Sequence, residues 1–243
     1  KGKRVRALII VSLGFISLFA LEPNFGKFDG TAVIIDLNTS VKTIYGTHPD
    51  ERVNPCSTFK ILNSMIALDS GAVKDENETI PWDGVIRQYP LWNRDHTMRS
   101  AIAVSTVWFY QELARRIGAE RMARMVARTH YGNGDTSRTL TDFWLGGGSL
   151  VISPTEEAEF VHALVREKLP FSIRAMRTVK DIITLEKGKD TSFGGKTGSC
   201  SGIGWFVGFV ESGDNVRTFA FQIQGDGANG AEAKKIALEY FGK

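Results

Sequence analysis

The chain is poor in the residues that build metal and disulfide scaffolds. It has two cysteines and four histidines in 243 residues. Two cysteines exclude a disulfide-dense scaffold and a cysteine zinc site. His48, His96, His130 and His162 show no ligand spacing such as His-Glu-x-x-His, so no metal is expected. A Gly-x-x-x-x-Gly-Lys-Ser/Thr loop is absent, and the glycines at 146–148 and 225–230 read as turns. Charge of one sign is not concentrated: the formal net charge is +3. Arg115, Arg116, Arg121, Arg124 and Arg128 sit on helical segments beside Glu112 and Glu120, as a solvated face does. No stacking-aromatic motif accompanies them, so a nucleic-acid partner is not expected. Internal repeats and low-complexity linkers are also missing.

The N-terminus reads as a targeting segment. Basic residues in 1–6 precede an apolar stretch from Ala7 to Leu21. As a helix, that stretch spans about 22 Å, short of a membrane core of about 30 Å. Residues 1–21 are therefore expected to be a signal peptide, or an N-terminal anchor if uncleaved. Membrane contact is then transient, and the mature chain is exported to the periplasm. Cysteines of an exported chain can pair, so Cys56 and Cys200 form one disulfide or remain two buried thiols.

What is present has the pattern of a mixed fold. Thr31–Leu37 and Val41–Tyr45 read as a hairpin. A helix follows from Ser57 to Asp69, and then a long, mostly helical stretch that includes Ser105–Ile117, Ala119–Arg128, Pro154–Lys168 and Phe171–Ile183. Strand signals return at Ser192–Thr197, Gly204–Glu211 and Arg217–Gln224, and Asn229–Tyr240 closes as an amphipathic helix. Strands from both chain ends around a block of helices predict an α+β fold, with a central antiparallel sheet and an inserted all-helical lobe. The sheet lobe covers about 22–69 plus 184–243, and the helical lobe about 70–183. Polar, moderately basic helices leave monomer and homodimer both open.

Chemistry enters at Ser57-Thr58-Phe59-Lys60. Residues three apart share a helix face, so the Lys60 amine can reach the Ser57 hydroxyl. Serine is a poor nucleophile until a neighbouring base takes its proton. A helix N-terminus adds free N–H groups suited to an oxyanion. Alone, the spacing is equally that of an N-cap serine and a surface lysine. Three further motifs change this. Ser105-Thr106-Val107 opens a helix, Tyr131-Gly132-Asn133 makes a turn, and Lys196-Thr197-Gly198 ends a strand.

In that order, these motifs resemble the penicillin-recognising serine acyltransferases. Ser-x-Val, Trp82-Asp83-Gly84, Phe143-Trp144-Leu145 and Gly204-Trp205-Phe206-Val207-Gly208 are similar to the class D, oxacillinase-type β-lactamases. The resemblance covers residues 22–243. It implies the β-lactamase/transpeptidase-like fold, whose sheet is flanked by N- and C-terminal helices. It also implies hydrolysis of penicillin-type β-lactams and a role in antibiotic resistance.

The resemblance assigns roles residue by residue. Ser57 is the acylated nucleophile. Lys60 takes up CO₂ or bicarbonate carbon as a carbamate and serves as general base for acylation and deacylation. No bound prosthetic group is implied. Phe59, Val107, Trp144 and Leu145 form the lysine-carbamate pocket, with the Trp144 indole donating to it. Ser105 relays a proton to the leaving nitrogen, assisted by Lys196. Backbone N–H groups of Ser57 and Ser199 form the oxyanion hole. Lys196, Thr197, Gly198, Ser199 and Tyr131 face the substrate. If the two oxyanion donors converge, their neighbours Cys56 and Cys200 come close, and a disulfide between them would brace the site.

Two departures from the family pattern stand out. Trp144-Leu145-Gly146-Gly147-Gly148 replaces the usual Trp-Leu-Glu-Gly, which predicts a more mobile Trp144 loop. The segment 225–232 lacks the arginine that many members use for the drug carboxylate, so Lys196, Thr197, Ser199 or Lys234 must bind it. Weak substrate binding follows. A β-lactam sensor domain that is acylated without turnover is the alternative.

Overall fold

The computed structural model describes residues 22–243. The targeting segment expected at 1–21 lies outside them. A six-stranded antiparallel sheet runs in the order β2-β1-β6-β5-β4-β3. Its strands are β1 (Asp29–Asp36), β2 (Lys42–Tyr45), β3 (Thr184–Lys187), β4 (Thr191–Cys200), β5 (Ile203–Ser212) and β6 (Asn215–Gln224). The first and last parts of the chain therefore meet at the β1–β6 pair, where Val33 lies opposite Ala220.

Strand alternation builds two cores. On β1, Ala32 and Ile34 join Phe206, Phe219 and Phe221 beneath α7 (Gly230–Phe241), which packs Ala233, Ile236 and Ala237 there. Val33 and Ile35 point the other way, with Trp205, Val207 and Phe209, into the larger core. That second face is crossed by α5 (Pro154–Val165). Behind it lie α1 (Lys60–Ser70), α2 (Met98–Ala103), α3 (Val107–Ile117), α4 (Ala119–Arg128) and α6 (Ile173–Ile182).

Three elements differ from the sequence reading. The stretch 71–97 holds only a 3₁₀ turn at Pro90–Trp92 and an isolated bridge between Ile80 and His96. Pro81, Gly84 and Pro90 break any helix there. The short edge strand β3, Thr-Leu-Glu-Lys, carries too few apolar residues to signal itself. Ser57 lies not in α1 but in a 3₁₀ turn, Cys56–Phe59, that runs into it. Ion pairs of Arg115 and Arg116 with Glu112, and of Arg124 with Glu120, occupy part of the arginine-rich face.

Candidate active site

The Cys56–Phe59 turn places Ser57 directly ahead of α1, whose first residue is Lys60. Lys60 Nζ and Ser57 Oγ are 2.6 Å apart. Lys60 is fully buried, and its amine lies 5.5 Å from the centre of the Tyr110 ring. Phe59, Phe143 and Trp144 form an aromatic cluster beside it; Phe59 stacks on Trp144 with ring centres 5.3 Å apart. No carboxylate among the described residues bonds the amine. Burial, and secondarily the nearby Lys196 charge, push its pKa well below the usual lysine range. A neutral amine can accept the Ser57 proton or add an electrophile such as CO₂.

Lys196 enters from β4 and is 4% exposed. Its amine donates to Ser105 Oγ at 3.0 Å and to the Thr197 carbonyl at 2.9 Å. Burial first, then the Lys234 charge, lower its pKa to about 7. Ser105 sits between α2 and α3 with φ at +58°, a left-handed conformation that costs about 1–3 kcal/mol outside glycine. α3 begins two residues on, with Thr106 as its N-cap. Ser57, Lys60, Ser105 and Lys196 thus converge from the Cys56–Phe59 turn, α1, the α2–α3 junction and β4.

Gly198 explains how closely the walls approach. A Cβ there would lie 2.8 Å from the Pro55 carbonyl oxygen and 3.1 Å from Thr58 Cγ2, so a side chain would push the nucleophile turn off β4. The same approach joins Cys56 to Cys200 in a disulfide, with Cα atoms 5.8 Å apart. The backbones of Ser57 and Ser199 are their chain neighbours. Ser199 Oγ accepts from the Gly230 N–H at 2.8 Å, which leaves its own proton to donate.

The Trp144 loop is pinned, against the expectation from its glycines. The Asn54 side chain accepts from the Gly147 N–H at 2.9 Å and donates to the Gly148 and Leu150 carbonyls at 3.0 and 2.8 Å. The Cys56 N–H donates to the Trp144 carbonyl at 3.0 Å, and Arg138 bonds the Gly147 carbonyl. Gly146 rests on the disulfide: a Cβ there would be 3.3 Å from Cys200 Cβ. A larger side chain at 146 therefore competes with the disulfide for space. Within this loop the Trp144 indole N–H is buried and has no partner among the described residues. Val107 and Leu145 are half-buried nearby in the chain, on the first turn of α3 and beside Trp144.

Tyr131 departs from its expected place. It is buried, and its hydroxyl donates to Glu157 Oε1 at 2.6 Å, so it does not face the cleft. Lys234 lies over Phe206 on the α7 face of the sheet. Sequence reasoning missed Asn54, Glu157, Tyr110 and Trp205, whose indole donates to the Asn54 carbonyl at 3.0 Å. Only Trp205 carried a signal, as part of the Gly-Trp-Phe-Val-Gly motif.

The family model for the penicillin-binding protein transpeptidase domain matches residues 30–242. The chain is 38% identical to the probable β-lactamase YbxI of Bacillus subtilis, over 94% of this chain and 85% of that one. The solved structure of BPu1 β-lactamase superposes with a TM-score of 0.86 at 42% identity, covering 89% of this chain and 92% of the other. The chain belongs to the class D serine β-lactamases. A second relative, the regulatory protein BlaR1 of Bacillus licheniformis, is 37% identical over 90% of this chain but only 38% of its own length. The family's fold is the α+β arrangement described above, and its members are hydrolases.

Proposed function

We propose that this class D β-lactamase opens the amide of penicillin-type antibiotics by acylating Ser57 and then releases the product by hydrolysis. The observation that carries this reading is the 2.6 Å contact between Ser57 Oγ and a fully buried Lys60 amine. As Ser57 Oγ bonds to the carbonyl carbon, its proton leaves toward Lys60 and the C–N bond breaks. The ring nitrogen takes a proton through Ser105, which Lys196 holds at 3.0 Å. The N–H groups of Ser57 and Ser199 receive the developing oxyanion. Lys196, Thr197 and the free Ser199 proton face the substrate carboxylate. With no arginine at 225–232, that grip is weak and KM is high; a low micromolar KM for penicillins would contradict this.

The unpartnered Trp144 indole and the neutral Lys60 amine fit a carbamate. A carbamate formed from CO₂ on Lys60 would supply a carboxylate-type base beside Ser57. Phe59 and Trp144 keep water from that amine, with Val107 and Leu145 assigned the same task. Export to the periplasm, a disulfide-permitting compartment, and a role in antibiotic resistance complete the proposal.

The similarity to a regulatory protein keeps a sensor reading in play. Purified protein and a chromogenic penicillin, with and without bicarbonate, separate the two. Many turnovers, enhanced by bicarbonate, are expected. A single turnover that leaves a stable acyl-enzyme would favour the sensor.

A further inference from the structure

Glu157 is the one fully buried acid among the described residues, and none of the steps above uses it. It projects from the first turns of α5 toward the turn that carries the nucleophile. Its Oε1 meets the Tyr131 hydroxyl at 2.6 Å and the Thr58 hydroxyl at 2.5 Å. Its Oε2 is buried without a partner among the described residues. Thr58 Oγ1 also lies 2.8 Å from the Pro55 carbonyl.

Proton counting decides how these contacts coexist. A carbonyl only accepts, so the Thr58 proton must point at Pro55 for that bond to form. Thr58 then offers Glu157 a lone pair alone. Their contact is a hydrogen bond only if Glu157 supplies the proton. A carboxylate with one oxygen buried and unpaired would also cost far more than a neutral acid in the same place.

We propose that Glu157 is a positioning residue, held as a neutral acid whose proton locks Thr58 onto the Pro55 carbonyl and so fixes the turn bearing Ser57. The proposal rests on Ser57 being the nucleophile. Loss of that proton turns the Thr58 hydroxyl toward Glu157 and frees the Pro55 carbonyl from its side-chain bond. Three groups face Glu157. Tyr131 comes from the segment after α4, and Glu156, paired with Arg52, from its own helix; the nucleophile turn offers only the Thr58 hydroxyl. Burial raises the Glu157 pKa to about 7, against the pull of the Thr58 and Tyr131 bonds. The switch therefore falls near neutral pH.

Glu157→Gln is the test, because its amide nitrogen, set where Oε1 lies, donates to the Thr58 hydroxyl at every pH and carries no charge, with the Tyr131 hydroxyl turned to accept from the same amide. Infrared titration of the wild type is expected to show a protonated carboxyl band that disappears between about pH 6 and 8, and that the Gln variant lacks. Over that window the wild-type acylation rate is expected to fall roughly fivefold relative to the variant, the worth of one neutral hydrogen bond. The ratio cancels the Lys196 titration, which both proteins share. Superimposable pH profiles, or no protonated carboxyl band in the wild type at about pH 6, would overturn the proposal. If the variant fails to fold, the wild-type infrared titration decides alone. If neither protein acylates at any pH, the Ser57 reading falls, while the band still reports the state of Glu157.

Discussion

Lys60 and Lys196 occupy the same cleft and are both buried, yet their surroundings differ in one respect. Lys196 is met by the Thr197 carbonyl and hydroxyl and by Ser105. Lys60 is met by Ser57 alone among the described residues, with the Tyr110 ring 5.5 Å from its amine. Burial, then the Lys234 charge, lower the Lys196 pKa to about 7, where it holds charge part of the time. Burial, then the Lys196 charge, push the Lys60 pKa well below the usual lysine range. Burial depresses both amines; what separates them is their contacts, since Lys196 has polar partners around it while Lys60 meets only the nucleophile.

Removing Lys60 should break the comparison most severely. Lys60→Ala is expected to slow turnover by on the order of 10⁴, as loss of a general base does. Mass spectrometry should show a persistent Ser57 acyl-enzyme; undiminished turnover would contradict the account. The disulfide holds the two walls in register, closing a separation of 144 residues. Cys56→Ala/Cys200→Ala is expected to lose about 2–5 kcal/mol of stability, read from denaturant midpoints. An unchanged midpoint would show that the walls need no tie.

Trp144→Phe keeps the stack on Phe59 and removes the buried indole N–H that has no partner among the described residues. A loss of roughly 10² in kcat is expected, in line with deleting a single preorganised donor. Added bicarbonate should recover part of it. The smallest effect is on the Lys196 side. Its charge disappears as pH rises through about 7, so KM should climb through that window, while Lys196→Arg should hold KM level. The same depressed pKa makes the fold gain stability from pH about 7 toward 10.5, because only the unfolded chain keeps that proton there.

The cleft was legible where chemistry needs a particular residue type. Ser57, Lys60, Ser105, Trp144 and Lys196 announce themselves because few other residues can act as nucleophile, amine or buried indole donor. Strands β1, β5 and β6 were legible from alternation. The supports were not. Asn54 reaches residues 147–150 and Glu157 reaches Thr58 across about a hundred positions, and an asparagine or glutamate in isolation reads as surface. The Trp144 loop shows the consequence. Local composition predicted mobility, while Asn54, the Cys56 N–H and the disulfide hold it from outside its own sequence. Tyr131 was misplaced for a related reason: its motif named a turn, and only the burial of Glu157 shows which way the ring faces.

The central claim is that the aromatic pocket leaves Lys60 as a neutral amine able to take up CO₂. Carbon-13 NMR of the protein in ¹³C-bicarbonate addresses it directly. One carbamate resonance is predicted, absent in Lys60→Ala and weakened in Trp144→Phe. Full turnover with no such resonance at saturating bicarbonate would contradict the account.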